Sequence, residues 1–225
     1  MNSVGMNSNT ATHDALQFRA ATPADIDALV ALVESAYRGD ASRVGWTTEA
    51  DLLDGRRTGA DDIAACIERE RSILLVLERV MAERMVDGHK SELLACAHLA
   101  VEHADEHHPD KQPAAGYFGM FSVRPQLQGS GMGKLMLAEA ERIMRDDWQL
   151  PLMRMTVIDV RDELIAFYER RGYRRTGIHK PFPYGDERFG IPRRDDLRFE
   201  VLEKALSRET ASLSPKATSF GAGST

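Results

Sequence analysis

The stretch that decides the reading is Val123-Arg-Pro-Gln-Leu-Gln-Gly-Ser-Gly-Met-Gly-Lys134. An apolar run, Tyr117 to Val123, precedes it and predicts a strand. Met136, Ala140, Ile143 and Met144 follow at helical spacing and predict a helix over residues 132–147. A strand therefore runs through a turn carrying Gly129, Gly131 and Gly133 into a helix N-terminus. The first amides of a helix lack internal partners, the helix dipole adds partial positive charge there, and glycines let a large anion approach the backbone. The expected ligand is a pyrophosphate. A nucleotide P-loop is excluded, because it requires glycine at Gln128 and Ser or Thr at Leu135. The dinucleotide fingerprint is excluded as well, because its third glycine falls on Lys134.

What remains is Gln128-x-x-Gly131-x-Gly133. It resembles the first signature of the GNAT N-acetyltransferase superfamily, in which such a turn holds the pyrophosphate of coenzyme A. Further along, Arg161-Asp-Glu-Leu-Ile-Ala-Phe-Tyr-Glu-Arg-Arg-Gly-Tyr173 resembles the second GNAT signature in composition, order and separation. The resemblance spans residues 18–202. It implies an α/β (α+β) fold with a mixed, splayed central sheet of about six or seven strands and flanking helices. It also implies acetyl-CoA as co-substrate. Its pantetheine would pair with the backbone of Phe121, Ser122 and Val123, and its pyrophosphate would lie on Gln128, Gly129, Ser130, Gly131, Met132, Gly133 and Lys134. Tyr168 is the catalytic residue implied, a proton donor to the thiolate that leaves when an amine attacks the thioester; a core aromatic is the alternative.

Two positions depart from the family pattern. Many members carry Asn where this chain has Arg161, which reads as a solvent-facing residue at a helix start, with a contact to coenzyme A as the other reading. Some members carry a basic Glu where this chain has Tyr117. Glu102, His98, Asp159 or a chain of waters are the substitutes considered, and none is preferred. On the acceptor side, Trp46 with Glu49 and Asp51 suits a cationic amine and Arg57 suits a carboxylate; packing and helix capping explain the same residues. The segment His179 to Tyr184 is the other wall implied.

Around these motifs the chain is ordinary. Its 225 residues are 43% hydrophobic and 28% charged, enough for one core, and the net charge of −6 argues against a nucleic-acid partner. Thr22-Pro-Ala-Asp25 opens a helix through Tyr37, a second helical region starts at Thr48 and resumes at residues 61–67, and residues 72–78, 93–101, 152–158, 173–176 and 197–202 read as strands. Residues 1–14 and 207–225 are polar tails expected to be disordered, leaving a domain at 15–206. Cys66 and Cys96 have no metal or disulfide spacing, and no metal is expected. His103 and His107 stand four apart, in what reads as a solvated loop. With no signal peptide or membrane-length apolar run, a cytoplasmic protein without membrane partner is expected.

The activity expected is acetyl transfer from acetyl-CoA to a primary amine of a small molecule. The alternatives are acetylation of a protein lysine or N-terminus, and a sensor that binds acyl-CoA without turnover. A homodimer is compatible with the family, although no sequence feature specifies one.

Overall fold

Alternation builds the centre of the molecule. In β3 (Ser72–Val80), Leu75 and Leu77 face one side of the sheet while Leu74 and Val76 face the other. All four are buried, so this strand must be covered on both faces. The computed structural model describes residues 15–81, 91–103 and 113–206. The tails expected to be disordered, and His107 with the loop around it, lie outside the described residues.

The first element among the described residues is β1 (Ala15–Ala20), and a short 3-10 turn then leads into α1 (Ile26–Tyr37). Thr22 opens that turn as the sequence predicts, its amide donating to Asp25 Oδ2 at 2.7 Å. A single turn, α2 (Gly39–Ser42), and a long irregular segment follow, interrupted by β2 (Leu53–Asp54). The helix expected from Thr48 does not form: residues 43–52 are turns, and regular helix resumes only in α3 (Ala60–Glu68). Thr48 uses its hydroxyl on Ser42 and on the amide of Ala50, which closes a local turn rather than capping a helix.

After β3 come β4 (Ser91–His103), β5 (Pro113–Val123), α4 (Met132–Arg142, prolonged by wider π-type turns to Asp147), β6 (Leu152–Ile158), α5 (Asp162–Glu169), β7 (Arg174–Pro181), β8 (Ile191–Pro192) and β9 (Arg198–Ala205). Gly172, at φ 87°, stops α5 in the left-handed conformation that few other residues adopt. Seven strands form one sheet in the order β1-β3-β4-β5-β6-β9-β7, and β2 with β8 makes a separate two-stranded ribbon. This is the mixed α/β fold expected.

One face carries α1 and α3, with Leu29, Val33, Ala36 and Ile63 packed on Leu74, Val76 and Cys96. The other carries α4 and α5, with Met136, Leu137, Ala140 and Ile165 packed on Leu75, Leu77 and Leu99. Each fully buried aliphatic side chain stabilises this sandwich by about 1.5–3 kcal/mol. Among the described residues no helix is long and apolar enough to cross a membrane.

Every neighbouring pair in the large sheet is antiparallel except β5 and β6, which run parallel and touch in register only at Gly116↔Met153 and Tyr117↔Arg154. Beyond that point they part. A bulge at Met120, whose φ is +46°, breaks the register of β5 against β4 at the same level.

Gly116 sits at the join because a Cβ there would collide with Met144 Sδ and lie 3.0 Å from Leu150 Cδ1, both in the core. Gly116→Ala is expected to destabilise the fold by about 1–3 kcal/mol through overpacking. Urea unfolding of the variant against wild type measures it.

Candidate active site

The Gly-rich turn forms where β5 ends. Pro125–Leu127 make one 3-10 turn, and the chain then swings through Gly129 and Gly131, at φ 85° and 98°, into α4. A Cβ at either glycine would meet nothing within 4 Å, so it is the backbone conformation, not space, that calls for glycine. The turn divides the amides into two groups. Those of Gln128, Ser130 and Lys134 donate to the carbonyls of Pro125, Leu127 and Gly131. Those of Gly129, Gly131, Met132 and Gly133 find no acceptor among the described residues. The available cradle is therefore narrower than the run from Gln128 to Lys134 that the sequence suggests. Lys134, Arg170 and Arg171 line the same cavity and add positive charge.

The side chain of Gln128 is engaged elsewhere. Its amide nitrogen donates to Thr47 Oγ1 at 2.8 Å and to the carbonyl of Val123 at 3.1 Å, and its oxygen accepts from the Thr47 amide. Ser130 Oγ turns back to Leu127 O. The side chain of Met132 packs on the core below, leaving its amide to the turn.

The splay of β5 from β6 opens two cavities that meet. One, about 540 Å³, runs from the glycine turn to Phe121, Val123 and Tyr168. The other, about 450 Å³, lies between the parted strands, Arg57 of the irregular segment, and the β7–β9 region. Tyr37, Phe121, Arg161, Leu164 and Tyr168 line both.

Backbone direction alternates along β5. Arg124 donates to Leu94 of β4, so Ser122 also turns toward β4, while Phe121 and Val123 turn toward the open edge. Ser122 is 1% exposed, and it lines neither cavity. The carbonyl of Phe121 accepts from the Tyr37 hydroxyl at 2.5 Å. A carbonyl has two lone pairs, so Phe121 and Val123 each retain one for a guest strand.

Tyr168 is held by its ring, edge-on to Phe167 and Tyr173. Its hydroxyl makes no hydrogen bond with any described residue, although the side chain is only 4% exposed. Burial pushes the phenol well above its ordinary value, with the nearby Tyr37 adding to the effect, so it stays protonated.

The sequence matches the acetyltransferase (GNAT) domain family over residues 73–175, from β3 through the splay and both signatures to the start of β7. Residues 73–175 carry the match to the GNAT acetyltransferase domain. No curated protein sequence matches it. Solved structures share its fold. The Salmonella typhimurium protein yncA, determined with its cofactor acetyl-CoA, superposes with a TM-score of 0.58 at 17% identity, covering 91% of this chain and 99% of that one. Ribosomal-protein-alanine N-acetyltransferase from Brucella melitensis gives 0.57 at 19% identity over 84% and 99%. A chimera of spermidine N-acetyltransferase SpeG from Vibrio cholerae and hSSAT gives 0.54 at 14% over 85% and 95%. At such identities the likeness is one of fold.

The second cavity borders a buried ionic knot. Glu49 pairs with Arg38 and with Arg161, each at 2.7 Å, and all three side chains are less than 10% exposed. Burial opposes its charge, but the cations of Arg161, Arg57 and Arg38 outweigh it and hold the carboxyl below the usual range. Arg161 also donates to the carbonyl of Thr47. It is therefore not the solvent-facing residue expected at a helix start. Its place at the N-cap of α5, where Ser, Thr, Asp or Asn is favoured, is the sequence signal that was available. Trp46 lies on the cradle side, its ring 5.6 Å from Phe167, and Asp51 pairs with Arg43 at the surface. Neither lines the second cavity, and Glu49 and Arg57 do.

None of the acids or bases considered for deprotonating the acceptor stands free there. Glu102 pairs with Arg154 at 3.0 Å, and Asp159 with Arg198. His98 is buried with Nε2 2.8 Å from Ser72 Oγ, outside both cavities. Desolvation, helped by the Arg69 charge, lowers its pKa to about 4. Tyr117 does line the second cavity, with its phenol raised by burial. Among the described residues no cluster of His, Cys, Asp and Glu is placed to hold a metal ion.

Two outcomes follow from these environments. Because His98 is protonated more readily in the unfolded chain, its contribution to stability is complete above pH 6.5 and is lost as pH falls toward 4. Wild type should lose up to about 3 kcal/mol relative to His98→Gln across that window, as read by denaturant titrations at several pH values. Arg161→Met leaves Glu49 with Arg38 as its only direct partner, and is expected to lower stability by about 2–3 kcal/mol in the same assay at pH 7.

Proposed function

We propose that the protein transfers the acetyl group of acetyl-CoA to an amine of a small molecule, by direct attack with both substrates bound together. The observation that carries this reading is the meeting of the two cavities at the Phe121 backbone and at Tyr168, whose hydroxyl lacks a partner among the described residues. One mouth is suited to a phosphate-bearing ligand, and the other leads to a chamber of small-molecule size.

The residues present fit acetyl-CoA, which supplies the thioester. The amides of Gly129, Gly131, Met132 and Gly133 hold its pyrophosphate, with Lys134, Arg170 and Arg171 at hand for the remaining charge. Phe121 and Val123 offer the strand edge on which an amide-bearing arm pairs. The Phe121 amide polarises the reacting carbonyl, an effect that grows as negative charge develops on oxygen. Tyr168 donates a hydrogen bond to the departing sulfur. Its raised pKa keeps it protonated and makes it a reluctant acid, so it steadies the thiolate more than it protonates it. Glu49 stays ionised within its knot and is no base; the amine gives its proton to water in the chamber. Rate enhancement rests chiefly on alignment of the two substrates.

The small-molecule reading is supported by the second cavity, which lies between the parted strands and is bounded by Phe189 and Phe199 from beyond β7.

The test is thiol release from acetyl-CoA over a panel of amino acids, polyamines, aminoglycosides, arylamines and short peptides. Tyr168→Phe is expected to lower kcat by about 10- to 100-fold with little change in KM for acetyl-CoA. Gly131→Glu places a carboxylate and a strained φ in the cradle and should abolish acetyl-CoA binding by calorimetry. Undiminished activity in Gly131→Glu would overturn the cradle assignment.

A further inference from the structure

Four charged side chains line the second cavity: Glu49, Arg57, Arg161 and Lys180. Three guanidinium groups act on Glu49, those of Arg38, Arg57 and Arg161. Two of them are in direct contact with it, and they use both carboxylate oxygens: Arg38 meets Oε2 and Arg161 meets Oε1. Arg57 is the one left over. Its backbone amide is fixed by Glu34 Oε1, as is the amide of Thr58 at 2.8 Å, which anchors the main chain at this point. Its guanidinium makes no ion pair and no hydrogen bond with any described residue. Its ordered neighbour is the ring of Tyr37, whose centroid lies 5.3 Å from Cζ. Tyr37 in turn reaches the Phe121 carbonyl at the point where the two cavities meet. Lys180, on the opposite wall, likewise has no ion pair among the described residues.

Glu49 and Glu34 favour the Arg57 charge through space, enough to outweigh its burial, but neither pairs with the guanidinium, so its hydrogen-bond donors are left for the anion of a ligand. The lining residues Arg57, Arg161 and Lys180 carry three positive charges against the single negative charge of Glu49, which Arg38 also offsets, so the chamber is positive overall. That repels a polyamine and favours an acceptor with a negative group of its own. The planar fork of Arg57 matches a carboxylate through two parallel hydrogen bonds. The remaining walls are largely apolar, with Phe118, Met155, Val157, Phe189 and Phe199 among them, so the body between amine and carboxylate is hydrocarbon.

We propose that the acceptor is an amino-carboxylate of apolar body, its carboxylate bound by Arg57 and its amine directed to the junction beside Tyr168. This rests on the transfer reading above and names its substrate class. Arg57 is here a binding residue for specificity and takes no part in the bond changes.

The test separates the two readings. Calorimetry on the full chain, with and without coenzyme A, compares L-phenylalanine and L-methionine with their amides, and with spermidine. The acids are expected to bind at least about tenfold more tightly than the amides, as suits a charge-assisted pair, and spermidine more weakly than either. Arg57→Gln should reduce the acid-over-amide preference to about twofold or less, while Arg57→Lys, which keeps the charge but not the fork, retains part of it. Thermal melting and coenzyme A affinity of the variants confirm that they remain folded. Amides or spermidine bound as tightly as the acids, acids that fail to bind at millimolar concentration, or a preference unchanged in folded Arg57→Gln would each overturn the proposal. Thiol release is followed in parallel. Acids that bind through Arg57 without any release would sink acetyl transfer and leave the carboxylate site supported. Release confined to amines without a carboxylate would do the reverse.

Discussion

Everything at the site depends on one interruption, the loss of pairing between β5 and β6 after Tyr117 and Arg154. Each strand keeps its other neighbour. β5 stays on β4, and β6 pairs with β9 along its whole length, from Leu152↔Ala205 to Ile158↔Phe199. The sheet therefore survives the gap, because the hydrogen bonds forgone are few and both strands are anchored from outside. In return, two strand edges with unsatisfied polar groups face each other across a cavity. Such groups are expensive to leave unmatched in a protein interior, and this one leaves them where a ligand with amides of its own can complete them. The left-handed Met120 sits at the same level, a local strain that the flanking sheet holds in place.

The second constraint is the irregular segment between α2 and α3. Besides its own turns and the β2–β8 pairing, it is tied to the donor side by two side chains: Gln128, from the Gly-rich turn, grips Thr47, and Arg161, from the start of α5, grips the Thr47 carbonyl and Glu49. The acceptor-side wall is thus fastened to the two signature motifs of the donor side. Ion pairs this deep contribute little net stability compared with apolar packing, but they tolerate no missing member. They fix which way Glu49 faces, and so leave the guanidinium of the neighbouring Arg57 without a direct ion pair among the described residues. Charge balance in the acceptor chamber is a consequence of how the donor side is tied down.

Much of this molecule could be read directly from its residues. Period-2 and period-3.6 patterns found the main strands and helices to within a few residues, since the middles of β3 and β4 are buried on both faces, β6 alternates between buried and half-buried positions, and α1, α4 and α5 are buried on one face. The Gly-rich turn could be read because its glycines serve backbone conformation, a local requirement. The helix expected at Thr48 failed for the converse reason. Thr48, Glu49 and Asp51 carry good local helix-start chemistry, but Glu49 is more strongly engaged by Arg38 and Arg161 than a helix would allow. Ser122 followed Phe121 and Val123 in the sequence and was grouped with them, yet the alternation of the strand sends it to the opposite edge.

The sequence by itself determined the layers of the fold, the position of the anion cradle and the presence of Tyr168 on the helix after β6, because each depends on spacing within a single segment. Only the tertiary structure decided which amides of the cradle remain free, that Arg161 turns inward to Glu49, that Trp46 faces the donor side, and that Arg57 has no ion pair among the described residues. These depend on which residues from distant segments claim each other first. A charged side chain's role is set by the charges folded against it, and no local pattern records those.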